Sequence, residues 1–133
     1  NRCTMTILYA DDDPEDCELI FEALNDVDPS ISCITANDGR EALAMLQHGI
    51  FLPDYIFLDI NMPVMDGKEC LTELKKDTRL KEIPVVIYST TTNNEEIEQL
   101  FNLGAFDFIN KANSFGELCH SLDVVINRLK ACR

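Results

Sequence analysis

Two tetrapeptides, Tyr55-Ile56-Phe57-Leu58 and Val85-Val86-Ile87-Tyr88, are apolar at every position. A strand with one wet face alternates polar and apolar residues, so a strand that is apolar throughout must be covered on both faces. Such sheets are parallel and are built from strand–helix–strand crossovers. The rest of the chain follows the same pattern. Strand-like segments near Thr4–Ala10, Ser30–Thr35, Asp54–Leu58, Pro84–Tyr88 and Ala105–Ile109 each precede a segment of helical periodicity. Five alternations of this kind predict an α/β doubly wound sandwich, a five-stranded parallel sheet with five helices placed on both faces by right-handed crossovers.

The predicted helices are well punctuated. Asp13-Pro14 reads as an N-cap with proline in the first turn, followed by the stripe Cys17, Ile20, Phe21, Leu24. Asp38-x-x-Glu41, Asp66-x-x-Glu69 and Ser114-x-x-Glu117 match capping boxes, the first two in an Asp variant. The last opens a helix whose Phe115, Leu118, Cys119, Leu122, Val125, Ile126 and Leu129 keep a 3.6-residue period. Asn93 or Asn94 caps the fourth helix, which carries Ile97, Leu100 and Phe101 and stops at Gly104.

At 133 residues the expectation is one domain over 1–133, with a core of about 4–130 and no output domain. A net charge of −13 makes a nucleic-acid backbone or an anionic membrane surface a repelled partner. No apolar run approaches the roughly 20 residues needed to span a bilayer, and no signal peptide is expected. The six cysteines form no Cys-x-x-Cys pair, so neither a zinc knuckle nor a thioredoxin-type site is supported. Cys17, Cys70 and Cys119 read as small hydrophobes on helix stripes, Cys3 and Cys132 as terminal and exposed. A reducing compartment, the cytoplasm, suits them. His48 at a helix end and His120 beside an apolar stripe lack ligand-spaced partners and read as structural or solvated.

The chemistry gathers at strand ends. Asp11 and Asp12 follow the first strand, Asp59 the third, Ser89 ends the fourth and Lys111 lies just past the fifth. In an open parallel sheet, ligands bind in the crevice beyond the carboxyl ends of the strands. Adjacent carboxylates repel, and a buried acid after four apolar residues is costly unless paired. A solvated turn accounts for Asp11 and Asp12 taken alone, as a hydroxyl-rich loop does for Ser89 and a surface lysine for Lys111. Asp13 is explained by capping. Taken together, three carboxylates suit a hard, oxygen-loving ion such as Mg2+, and the adjoining hydroxyl and amine suit a phosphoryl group.

Asp11-Asp12, the run Pro53-Asp54-Tyr55-Ile56-Phe57-Leu58-Asp59-Ile60-Asn61-Met62-Pro63, Met65-Asp66-Gly67, Ser89 and Lys111 resemble the receiver domain of bacterial two-component response regulators. The resemblance spans nearly the whole chain and implies a flavodoxin-like fold. It implies that Asp59 takes a phosphoryl group from a sensor histidine kinase or phosphotransfer protein. It further implies Mg2+ held by Asp12, Asp59 and the backbone carbonyl of Asn61, with Asp11 acting through water. Lys111 and Ser89 would contact the phosphoryl oxygens, and Ser89 and Phe108 would act as the switch. A downstream protein target would read the face made by the fourth helix, fifth strand and fifth helix, and homodimerisation through that face is compatible with the resemblance. The acids Glu95, Glu96 and Glu98 on the fourth helix fit either a basic partner or a solvated face.

Two departures stand out. Receivers usually have Lys-Pro, with a cis bond, where this chain has Lys111-Ala112, and Phe108 lacks the hydroxyl of a tyrosine. Serine at position 89, in place of the more frequent threonine, keeps the hydroxyl. Other readings of the same residues are a hydrolase of the haloacid dehalogenase type, a phosphorelay intermediate, and a flavin or nucleotide binder. The hydrolase requires a second acid two residues after the nucleophile, where this chain has Asn61, which cannot serve as a general acid. The nucleotide binder requires a glycine-rich loop after the first strand, where this chain has acids.

Overall fold

The computed structural model describes residues 5–49 and 52–131. Cys3 and Cys132, expected to be terminal and exposed, lie outside the described residues. The elements alternate as β1 (Thr6–Ala10), α1 (Pro14–Val27), β2 (Ser32–Ala36), α2 (Gly39–His48), β3 (Tyr55–Leu58), α3 (Gly67–Lys76), β4 (Val85–Ser89), α4 (Asn94–Asn102), β5 (Asp107–Asn110) and α5 (Phe115–Ala131). All strand pairings are parallel, in the order β2-β1-β3-β4-β5. Strand starts fall one or two residues later than expected: Ser32 rather than Ser30, Tyr55 rather than Asp54, Val85 rather than Pro84 and Asp107 rather than Ala105. At Asp54 and Phe106 the backbone already bonds the neighbouring strand, to Thr6 and Val85, before ladder pairing begins.

The period of two along each strand divides the core into two layers. Ile56, Leu58, Val85 and Ile87 face one way and pack with Ala42, Leu43 and Leu46 of α2, Cys70, Leu71 and Leu74 of α3 and Leu100 of α4. Tyr55, Phe57, Val86 and Tyr88 face the other way and meet Ile20, Ala23 and Leu24 of α1 and the Leu118–Leu129 stripe of α5. The all-apolar strands are therefore covered on both faces. Three expected stripe residues sit at the rim instead: Phe21, Phe101 and Phe115 are each about two-fifths exposed. In each case smaller neighbours on the same helix already fill the contact with the sheet.

The caps form as the sequence indicates. Asp13, Asp38, Asp66 and Asn93 accept N–H bonds at their helix starts, and Asp66/Glu69 and Ser114/Glu117 make complete capping boxes. In α2 the reciprocal bond is displaced by one residue, with Glu41 accepting from the Asn37 N–H. Gly104, at φ +110°, ends α4 in a Schellman motif: its N–H bonds to Phe101 O and that of Ala105 to Leu100 O.

One segment is strained. Val64 has φ +67° at the centre of a turn closed by Met65 N–H to Pro63 O at 2.7 Å, and it is 70% exposed. A β-branched residue there costs on the order of 1–3 kcal/mol, more than the entropy a glycine adds to the unfolded chain. Val64→Gly is expected to raise the unfolding free energy by about 1 kcal/mol, read as a higher urea midpoint at unchanged slope.

Candidate functional site

Register brings the strand ends together. Ala10 pairs with Leu58, and the Asp59 N–H bonds to Ala10 O at 3.0 Å, which sets Asp59 beside Asp11. Ser89 pairs with Asn110, and the Lys111 N–H bonds to Ser89 O at 2.9 Å. Gly67 then lets α3 close on this edge. Its N–H bonds to Ile60 O, and a Cβ there would lie 2.3 Å from Asp59 O, so only glycine fits.

Four of the five expected residues converge. One oxygen each from Asp11, Asp12 and Asp59 lies within 4.8 Å of the others, a group that could hold a metal ion. Lys111 Nζ reaches Asp11 Oδ2 at 2.6 Å and Asp59 Oδ2 at 3.2 Å. Lys111 is thus no surface lysine: its side chain is 8% exposed and lies over the Tyr88 ring, 5.3 Å from the centroid. Ser89 is fully buried, with its Oγ accepting from the Thr91 N–H at 3.4 Å. Phe108 is half-buried and packs against the layer that holds Ile87 and Leu100. Asn61 is exposed, and its backbone amide lowers the Asp59 pKa against the larger rise from burial.

Asp11 and Asp12, adjacent in sequence, have opposite surroundings. Asp12 is exposed. Asp11 is buried, with Oδ2 accepting from Lys111 and from the Tyr9 hydroxyl, and Oδ1 from the Asp13 N–H at 3.0 Å. Among the described residues every peptide bond is trans, Lys111–Ala112 included. The turn after Lys111 is held by Asn110, whose Oδ1 accepts from the Ala112 N–H at 2.7 Å while its Nδ2 donates to Thr91 O at 3.4 Å.

Three contributors went unread in the sequence. Tyr9 carries the signal of a hydroxyl in an apolar strand, two residues before Asp11 and hence on the same strand face. Asn110 carries the signal of a polar amide ending a strand. Asp16, whose Oδ2 lies 2.8 Å from Lys111 Nζ, has the ordinary look of an acid in the first turn of a helix.

The site's electrostatics follow from this packing. Burial pushes Asp59 up to about 6; Lys111 opposes that rise and Asp11 adds to it. Burial disfavours the Lys111 ammonium, but the bonds it donates to Asp11 and Asp16 and the charge of Asp59 outweigh it and raise its pKa. Cys33 and Cys70 are pushed up to about 12 by burial, and Cys17 is raised by burial and by Asp11, which fits inert thiols.

The sequence matches the response regulator receiver domain family over residues 7–123. The chain belongs to that family. Response regulator Rcp1 of Synechocystis sp. is 32% identical over 117 residues, covering 84% of this chain and 80% of that protein. The phosphorylated cyanobacterial phytochrome response regulator RcpA superposes with a TM-score of 0.88 at 32% identity, covering 98% of this chain and 97% of that one. The Mn2+-bound form of Rcp1 gives 0.81 at 29% identity over 91% of each chain. The protein is a phosphoacceptor receiver, a signalling domain of the two-component kind. The fold is the flavodoxin-like sandwich of that family. Neither the hydrolase nor the relay-intermediate reading gains support.

The raised pKa of Asp59 has a consequence for the metal-free receiver. Between its ordinary value of 3.8 and about 6, the folded state keeps a proton that the unfolded state releases. The stability contributed by this group is therefore full below 3.8 and lost as pH rises through about 6. Asp59→Asn, measured without metal, is expected to be more stable than the parent by about 1–3 kcal/mol at pH 8, with the gap closing at pH 4. Urea unfolding at the two pH values checks this.

Proposed function

We propose that this receiver accepts a phosphoryl group on Asp59 from a sensor histidine kinase, in a Mg2+-dependent reaction, and signals by contact with a downstream protein. The observation that carries the reading is the Lys111 ammonium, buried and 3.2 Å from Asp59 Oδ2. An anionic oxygen built on Asp59 would meet a ready-made donor there.

In this reaction a carboxylate oxygen of Asp59 attacks the phosphorus of the donor's phosphohistidine. The P–O bond forms as the P–N bond breaks, and its electrons return to the ring nitrogen. Asp59 must be ionised to attack, and with a pKa of about 6 it is mostly so at neutral pH. Lys111 donates to one phosphoryl oxygen and the Ser89 hydroxyl to another.

The donor set fits a hard divalent cation. Asp11, Asp16 and Asp59 face one ammonium and Asp12 lies beside Asp11 and Asp59, which leaves negative charge uncompensated. Asp12, Asp59 and the Asn61 carbonyl would hold Mg2+ directly. Asp11, whose oxygens already accept from Tyr9, Asp13 and Lys111, is suited to act through water. When bound, the ion offsets charge between the acceptor and the incoming phosphoryl group.

Ser89 and Phe108 would relay the event. Ser89 moving toward the phosphoryl group draws on the β4–α4 loop through Thr91, and Phe108 lies on the neighbouring edge strand. The phosphoryl group would bias two pre-existing states. The face that changes carries exposed Phe101, Leu103, Phe115 and Val124, apolar area suited to a downstream protein or to a second copy of the chain. Of the α4 acids, Glu96 is paired to Lys68 of α3 at 3.2 Å, so it serves the fold first.

Incubation with acetyl phosphate and Mg2+, followed by intact-mass measurement, tests the reading. One labile phosphoryl group is expected on the parent, and none on Asp59→Asn or in excess EDTA. Continuous phosphate release with no phosphoprotein trapped would overturn it.

A further inference from the structure

Asp16 belongs to none of the strand ends that define the site, yet it is bonded to the residue at its centre. Its Oδ2 lies 2.8 Å from Lys111 Nζ, 95 positions away in sequence. In α2, α3 and α5 the glutamate at the third helical position folds back onto the backbone N–H of Asn37, Asp66 or Ser114. Asp16 holds that third position in α1 but is too short for the same return, and its carboxylate points to the sheet edge instead. The Asp13 cap and Pro14 fix the first turn of α1, so Asp16 is presented from a rigid support.

An ammonium has three N–H donors. Here it hydrogen-bonds Asp11 at 2.6 Å and Asp16 at 2.8 Å, and Asp59 lies at ion-pair distance, 3.2 Å. Asp11 is itself fixed, by the Tyr9 hydroxyl and the Asp13 N–H. The two bonds therefore anchor the ammonium from β1 and from α1. The third N–H is left for a phosphoryl oxygen on Asp59.

We propose that Asp16 is a positioning residue for phosphoryl acceptance, holding the Lys111 ammonium against Asp11 so that its remaining N–H faces Asp59. The proposal rests on Asp59 being the acceptor. It gives Lys111, which is followed by Ala112, an anchor in its own ammonium contacts. Asp16 touches no reacting atom and acts through Lys111 alone.

The test compares the parent, Asp16→Ala and Asp16→Asn as full chains, with Asp59→Asn as blank. Phosphoprotein formation is followed by intact mass across acetyl phosphate concentrations at saturating Mg2+. Asp16→Ala is expected to lower the saturating rate about tenfold, as loss of positioning does, with the half-saturating concentration unchanged. Asp16→Asn keeps an acceptor oxygen and should recover most of the rate. The Lys111 ammonium proton signal in NMR, read without any phosphoryl donor, should be present in the parent and Asp16→Asn and lost to exchange in Asp16→Ala. A parent-like rate and a preserved ammonium signal in Asp16→Ala would overturn the proposal. So would an equal slowing in Asp16→Asn, since shape is kept there and charge alone is lost. A parent that takes no phosphoryl group would instead sink the reading of Asp59, while the ammonium signal would still decide whether Asp16 holds Lys111.

Discussion

Lys111 Nζ sits among carboxylates from the β1–α1 loop, from α1 and from the end of β3, within 2.6–3.2 Å of each. These groups come from distant parts of the chain and meet only because five parallel strands end in register. Taken one at a time, the buried acids would be costly, and so would the buried ammonium. Together they offset one another and still leave negative charge at the exposed rim, where Asp12 lies. That residue of charge is what fits the site to a divalent cation and, through it, to a phosphoryl group.

The support for this cluster is built into the two layers of the core. Tyr9 and Tyr88 belong to the layer packed against α1 and α5 and lie directly beneath Asp11 and Lys111, with ring centroids 6.0 Å apart. Burial pushes Tyr88 up to about 12 and raises Tyr9 further, so both hydroxyls stay neutral and Tyr9 can only donate to Asp11. The floor of the site is thus apolar packing in which the Tyr9 hydroxyl holds Asp11. The opposite layer, under α2, α3 and α4, carries Phe108 and Leu100 and leads outward to the exposed Phe101 and Leu103.

Much of this was legible in the sequence, because the signals were local. All-apolar strands, N-caps and an acid after Leu58 each declare themselves within a few residues, and Asp11, Asp12, Asp59, Ser89 and Lys111 fall where the strand ends placed them. What escaped was long-range or looked ordinary. Asp16 reads as a helix-start acid until Lys111 is seen beside it. The Asn110 bonds to Ala112 and Thr91 depend on how two loops meet. Phe21, Phe101 and Phe115 match helical periodicity, but a period says which side of a helix a residue takes and not how deeply that side is buried.

If Asp59 carries the phosphoryl group, trapping the acyl phosphate chemically will locate it there. Borohydride reduces an aspartyl phosphate to homoserine, and peptide mass mapping then locates the altered residue. Homoserine is expected at position 59 after treatment with acetyl phosphate and Mg2+, with Asp11, Asp12 and Asp16 unchanged. Homoserine at any of those three positions, or a phosphoryl group that borohydride does not convert, would contradict that role for Asp59.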